Sequence, residues 1–170
     1  MKGKIKMKNS ISTILLILSF SLIITGCENQ ERKINKEAEI REIAKVIDNA
    51  IGWFKDKDFD LLFRTFAQDS NFLEVHPDGE VVKGFEQFRK NSEIFKHPEF
   101  LYVRHEIWDQ KITLSESGNT AWFFCMLNDI STWKGRQVGW ENTRWTGVLE
   151  KRDGRWVIVQ QHFSFASEKS

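Results

Sequence analysis

Apolar residues recur at three- and four-residue steps along the first half of the chain and at alternate positions along the second, so the sequence predicts helices followed by strands. From Glu37, the positions Ile40, Ile43, Ile47, Ala50 or Ile51 and Phe54 form one face of an amphipathic helix about five turns long. Val46, Ala50 and Trp53 widen that stripe, as suits a helix lying across a broad surface. "KDKD" closes it. Asp58 is placed to cap a shorter helix carrying Phe59, Leu62, Phe63 and Phe66, which "AQDS" ends. Two short strands, "NFLEV" and "EVVKG", flank "HPDG", whose Pro and Asp-Gly are turn signals. "GFEQFRKNSEIFKH" then predicts a third helix, with Phe85, Phe88, Ile94 and Phe95 on its period.

Four longer runs follow, "FLYVRHEIWDQKITLS", "TAWFFCMLNDISTW", "QVGWENTRWTGVLEK" and "RWVIVQQHFSF", divided by "ESGN", "KGR" and "RDG". Breaks this short, with turn chemistry, predict an antiparallel meander. The order is helix, helix, hairpin, helix and four strands, with no repeat and no second domain, which is an α+β chain. Strands twist, so a sheet of this size with helices on one face must curl. The expectation is a cone-shaped curved antiparallel sheet with three N-terminal helices packed on its concave face, open at a mouth. In the last strand, strict alternation puts Trp156, Ile158, Gln160, His162 and Ser164 on one side and Val157, Val159, Gln161 and Phe163 on the other. The first set runs from apolar to polar, as would a pocket wall with an apolar floor and polar groups nearer its mouth.

The segment ahead of these elements has a different texture. Lys2, Lys4, Lys6 and Lys8 form a positive stretch without an acidic residue, followed by the apolar run "ISTILLILSFSLIIT", which is short for a membrane span of about 20 residues. It ends in Ile24, Thr25, Gly26 and Cys27, a sequence that resembles the bacterial lipobox. That resemblance implies a signal peptide over residues 1–26, lipidation of Cys27, and a mature protein anchored by acyl chains in the cell envelope, on the extracytoplasmic side of a membrane. An ordinary secretory signal with an incidental cysteine, or an uncleaved anchor, are the alternatives. "ENQERKINK", up to about Lys36, is polar and aperiodic and reads as a tether between Cys27 and a domain spanning residues 37–168.

Removing residues 1–26 takes four of the 25 basic residues and none of the 24 acidic ones, leaving 21 against 24 and a net charge of about −3. Such a balance offers no basic footprint for nucleic acid. The mature chain would keep Cys125 as its single cysteine besides Cys27, so no intrachain disulfide is available and a packed core must hold the fold. Cys125 sits in the apolar run "AWFFCML" and reads as a buried, inert thiol. His76, His97, His105 and His162 show no metal-ligand spacing, and neither a phosphate-cradling glycine loop nor a nucleophile elbow is present, so no metal and no cofactor is expected.

The order of elements and the ending "RDGRWVIVQQHFS" resemble the nuclear transport factor 2-like superfamily in its SnoaL-like branch. The likeness rests on Gly154, Trp156, His162 and Ser164, on "SGNTAW", and on Arg144 with Thr146, and it covers roughly residues 37 to 167. It implies a cone fold and a homodimer. It does not by itself imply an activity, because folds of this kind host isomerases, cyclases, dehydratases, oligomerisation hubs and simple binders. A ketosteroid isomerase would need a carboxylate base and tyrosine-type donors, and this chain has one tyrosine, Tyr102, on a strand rather than on the first helix.

The candidate site residues follow from the predicted faces. His162, with a pKa near ~6.5, could act as acid or base, oriented by Gln160 and Ser164, or could be a half-buried histidine satisfied by hydrogen bonds. Asp129 is its candidate catalytic partner. Trp140, Asn142, Arg144 and Thr146 share a predicted face, and Arg144 there would either pair with Asp129 or Glu141 or fork onto an acidic ligand. Trp53, Trp122, Trp140 and Trp156 would line a cavity for a flat or apolar molecule, or else serve the core or a dimer surface. Three functions remain open: a pocket for a small organic, acidic or aromatic ligand; a SnoaL-like acid/base enzyme using His162; and a partner-binding or oligomerisation module.

Overall fold

Asn35 opens the first helix by accepting a hydrogen bond from the Ala38 backbone N–H at 3.1 Å, which satisfies one of the donors a helix start leaves unpaired. The structure is a computed structural model that describes residues 34–167; the predicted signal peptide, the lipobox-like stretch with Cys27 and most of the predicted tether lie outside the described residues. Helix α1 (Lys36–Gly52) carries Glu37 and Glu39 in its first turn, where the helix dipole favours negative charge, and tightens into a 3₁₀ turn at Trp53–Lys55. Asp58 caps α2 (Phe59–Thr65) as the sequence predicts, accepting from the Leu61 N–H at 2.8 Å. The hairpin β1 (Leu73–Val75) and β2 (Val81–Lys83) precedes α3 (Phe85–Asn91), which continues as a 3₁₀ turn, Ser92–Lys96. Then come β3 (Phe100–Leu114), β4 (Thr120–Trp133), β5 (Arg136–Arg152) and β6 (Arg155–Ser164).

The six strands form one sheet in the order β2-β1-β6-β5-β4-β3, and the three helices pack on its concave face. Strands β3 to β6 make the expected meander. The hairpin, however, joins the sheet through a parallel pairing of β1 with β6, Leu73 opposite Gln160 and Val75 opposite His162, so the sheet is not antiparallel throughout. No tight turn links β1 to β6, so their relative direction is set by tertiary packing rather than by a loop, and sequence spacing could not reveal it.

Between helices and sheet lies an aromatic core. Phe66, Phe72 and Phe88 meet with ring centroids 4.7 to 5.4 Å apart, while Ile43 and Ile47 of α1 bury fully above Phe123, Cys125, Leu127, Trp145 and Leu149 of the sheet's inner face. Burial also pushes the Cys125 thiol up to about 12, so it is a core residue rather than a nucleophile.

Two irregularities in the meander decide what faces inward. Leu127 pairs with Thr143 but Asp129 pairs with Trp140, so Glu141 and Asn142 together oppose Asn128. Asn142 takes φ +52°, a left-handed conformation that Asn tolerates better than most residues, and its N–H is held by the Asn128 side chain at 2.8 Å. Likewise Val148 pairs with Gln160 and Leu149 with Ile158, leaving Val159 as the extra residue. Each bulge reverses the alternation beyond it, because one added residue moves every later side chain to the other face. Further irregularities after Tyr102 and Trp108 bend β3, so the sheet curls at several points.

Candidate functional site

The concave face holds a half-open cavity of about 510 Å³. One wall is aromatic and comes from Trp53 and Phe54 after α1, Phe95 after α3 and Phe100 at the start of β3. These rings hold one another in place, Phe54 packing edge-on against Phe95 with centroids at 5.0 Å and Phe95 stacking on Phe100 at 4.7 Å. The sheet wall contributes Trp140 and Phe163, whose centroids lie 4.9 Å apart.

Polar groups enter this aromatic shell from three strands. Asp129 and the buried Ser131 come from β4, Gln161 from β6, and Glu74 from β1, with His76 just beyond it and Glu80 ahead of β2 at the rim. A chain of hydrogen bonds fixes the β1 side: Trp145 Nε1–H donates to Gln161 Oε1 at 3.2 Å, Gln161 Nε2–H donates to Glu74, and the second Glu74 oxygen meets His76 Nε2. Glu80 approaches the other ring nitrogen, Nδ1, at 3.6 Å. Burial by itself would lower the His76 pKa, but the hydrogen bond and charge of Glu74, helped by Glu80 and Asp78, outweigh it and hold the imidazolium above its usual range.

Asp129 is the other group of the wall whose pKa is displaced, and its situation is the reverse. Burial pushes its carboxyl up to about 6, offset only in part by the charge of His105, its register partner on β3. No side chain among the described residues hydrogen-bonds it. His105 is itself committed elsewhere, to the Tyr102 hydroxyl at 3.0 Å and to Asp48 at 3.2 Å. Gly139 is needed behind Asp129. It takes φ +111°, and a Cβ there would collide with the Asp129 carbonyl oxygen and stand 3.3 Å from the Ile130 Cα, so only glycine lets β5 approach β4 this closely.

Of the residues the sequence singles out, Trp53, Asp129 and Trp140 line this cavity. The others do not. Beyond the bulge at Val159, Gln161 and Phe163 point inward, and His162, Gln160 and Ser164 lie on the outer face, so the predicted apolar-to-polar pocket wall is not a single face. Beyond the bulge at Asn142, Thr143 and Trp145 are buried while Arg144 stands exposed outside, opposite Ser164 on β6 and Met126 on β4. Asn142 is the bulge residue itself, and Trp122 is 49% exposed on the outer face. His162 and Asp129 therefore sit on opposite sides of the sheet and cannot share a reaction centre.

The cavity residues the sequence reading passes over are Glu74, His76, Gln161 and Ser131. A signal for two of them existed, since Glu74 and His76 stand two apart at a strand and so share a side. Gln161 is the lone polar member of the set Val157, Val159, Gln161 and Phe163, which marks it as a buried group needing partners.

A helix-backed cone with an aromatic cavity and a few convergent polar groups defines an α+β cone fold, in which the fold supplies the vessel and any chemistry comes from the lining. The chain belongs to the SnoaL-like domain family, whose family model matches residues 43–168. Solved structures of the nuclear transport factor 2-like (NTF2-like) fold share its architecture. A candidate dehydratase of the NTF2-like family from Streptomyces avermitilis is 18% identical, with TM-score 0.66 over 78% of this chain and 99% of that one. An NTF2-like protein from Cytophaga hutchinsonii is 13% identical, with TM-score 0.60 over 78% and 99%. A candidate calcium/calmodulin-dependent kinase II association domain from Exiguobacterium sibiricum, 8% identical, reaches TM-score 0.60 over 78% and 96%. No curated protein matches the sequence. At these identities the likeness establishes the fold, and the function must come from the cavity.

Proposed function

We propose that the protein is an exported, lipid-anchored receptor for a small organic molecule with a largely apolar, aromatic body, held in the cavity between helices and sheet. The observation that carries this reading is Asp129, a carboxyl with no side-chain hydrogen bond among the described residues, in a cavity of about 510 Å³ walled largely by aromatic rings. A carboxylate in such a place costs stability, and a ligand that satisfies it gives a reason for its presence. The volume suits a drug-sized molecule. With Arg144 on the outer face, no lysine or arginine among the described residues lines the cavity to fork onto an acidic ligand. The lysine-rich start, the apolar run and the cysteine at position 27 support the anchor.

Native mass spectrometry of the full chain purified from its own host tests this. A co-purifying small molecule is expected in the wild type and in His162→Ala and Arg144→Ala, whose side chains lie outside, and is expected to be lost in Asp129→Asn and Trp140→Ala. An adduct that survives both cavity variants, or none from the native host, would overturn the reading. Growth of a Cys27→Ser strain tests the anchor, with release of the protein from the membrane fraction as the expected result.

An acid/base enzyme is the second reading. It is favoured by His76 and Asp129, two groups of one cavity whose environments both raise their pKa values, the Asp129 carboxyl to about 6, as a paired acid and base require. Turnover of the co-purified compound, lost in both His76→Gln and Asp129→Asn, would establish it.

A further inference from the structure

We propose that the cavity selects an organic cation: an aromatic ring carrying a protonated or quaternary amine, with the ring among the aromatic side chains and the charge at Asp129. This rests on the ligand-pocket reading above and names the chemical class of the ligand.

The charges of the lining are one-sided. Asp129, Glu74 and Glu80 supply three carboxyl groups, and no lysine or arginine is among the described residues that line the cavity. The one basic group, His76, lies between Glu74 and Glu80, so its charge is already matched within the wall. Asp129 has no such match. Its nearest basic neighbour, His105, gives its two ring nitrogens to Tyr102 and Asp48. The cavity thus holds a carboxylate without a counter-ion, and a cation from outside would supply it. An anion would meet Asp129, Glu74 and Glu80 together, and like charges at close quarters are a strong barrier.

The rest of the wall favours the same class. Trp53 and Trp140, with Phe54, Phe95, Phe100 and Phe163, present rings on both sides of the space. Ring faces are negative, and a cation within about 6 Å of a ring centroid gains attraction that grows once water is excluded. A neutral ligand would use the apolar area of this shell but leave the Asp129 charge unanswered.

The test is isothermal titration calorimetry of the full chain in detergent, against detergent alone, with three probes of one shape: 2-phenylethylamine, 2-phenylethanol and 3-phenylpropionate, at pH 7.5. The amine is expected to bind at least tenfold more tightly than the alcohol, with no heat from the carboxylate. Asp129→Asn should abolish the preference for the amine while the alcohol still binds, which also shows that the variant is folded. Glu80→Gln, at the exposed rim, should weaken the amine by about two- to threefold and leave the alcohol unchanged. An alcohol or carboxylate that binds as tightly as the amine would overturn the cation and leave the pocket reading standing. Failure of all three probes to bind, together with no co-purified adduct, would sink both.

Discussion

Asp129 carries a charge that the fold does little to stabilise. Its pKa stands at about 6 rather than 3.8 because burial removes water from the carboxyl and the charge of His105 offsets only part of that loss. Between those two values the folded chain keeps a proton that the unfolded chain has released, so stability falls as pH rises through that interval and levels off above it. The gap corresponds to roughly 3 kcal/mol lost at neutral pH. Asp129→Asn is therefore expected to raise stability by about 2 kcal/mol at pH 7.5 and to give no gain at pH 4, read by urea denaturation at both. An equal effect at the two pH values would show that charge burial is not the cause. His76 behaves oppositely: its raised pKa makes its ion pairing with Glu74 a stabilising term at acid pH that fades as pH rises past the folded value. Neither environment could be read from the sequence, because desolvation belongs to the cavity and not to the residue.

Among the elements, the bulges matter most. The strands lie where alternation and turn chemistry put them, and the Asp58 cap and the three helices are in their predicted places. What alternation could not reveal is the extra residue at Val159 and the pair Glu141 and Asn142 opposite Asn128, since a bulge leaves the apolar count of a strand unchanged while reversing its faces. The assignments of His162, Gln160, Ser164 and Arg144 to the cavity fail for that one reason. Trp140 survives because it precedes the bulge. Gly139 beside it is the element's tightest point, and Gly139→Ala is expected to cost about 2 kcal/mol or more, since it adds a Cβ both where φ is positive and where the Asp129 backbone blocks it. Thermal denaturation would measure this. A melting temperature within a degree of wild type would mean that β4 and β5 can part without penalty.

The whole molecule has two faces with separate roles. The concave one is filled by helices and cavity, whereas the outer one presents Trp122, 49% exposed, and Phe124, 38% exposed, with Val148 paired beside Trp122. Apolar side chains gathered on a sheet face suit coverage by a partner, and we propose a second copy of the chain, which the family resemblance implies. Light scattering after size exclusion is expected to give a dimer for the wild type and a monomer for Trp122→Glu, with the cavity probes still bound by the variant. A monomeric wild type would remove the dimer from the account. This surface also gives His162 and Arg144 a setting among residues that the sequence assigns to ligand binding.

The sequence by itself determined the fold class, the order of the helices and strands and the inert core thiol, because these depend on local propensity and on periodicities that neighbouring residues share, while its motif residues carried the resemblance to the family. The cavity is lined by Trp53 and Trp140, which the sequence offers as candidate cavity residues, and by Asp129, which it offers only as a partner for His162. Only the tertiary structure decided which face holds His162 and Arg144, that β1 runs parallel to β6, and that Glu74, His76 and Gln161 join in one network. Those outcomes turn on strand register and on contacts between residues far apart in the chain, where a single added residue reverses a face without changing the local pattern.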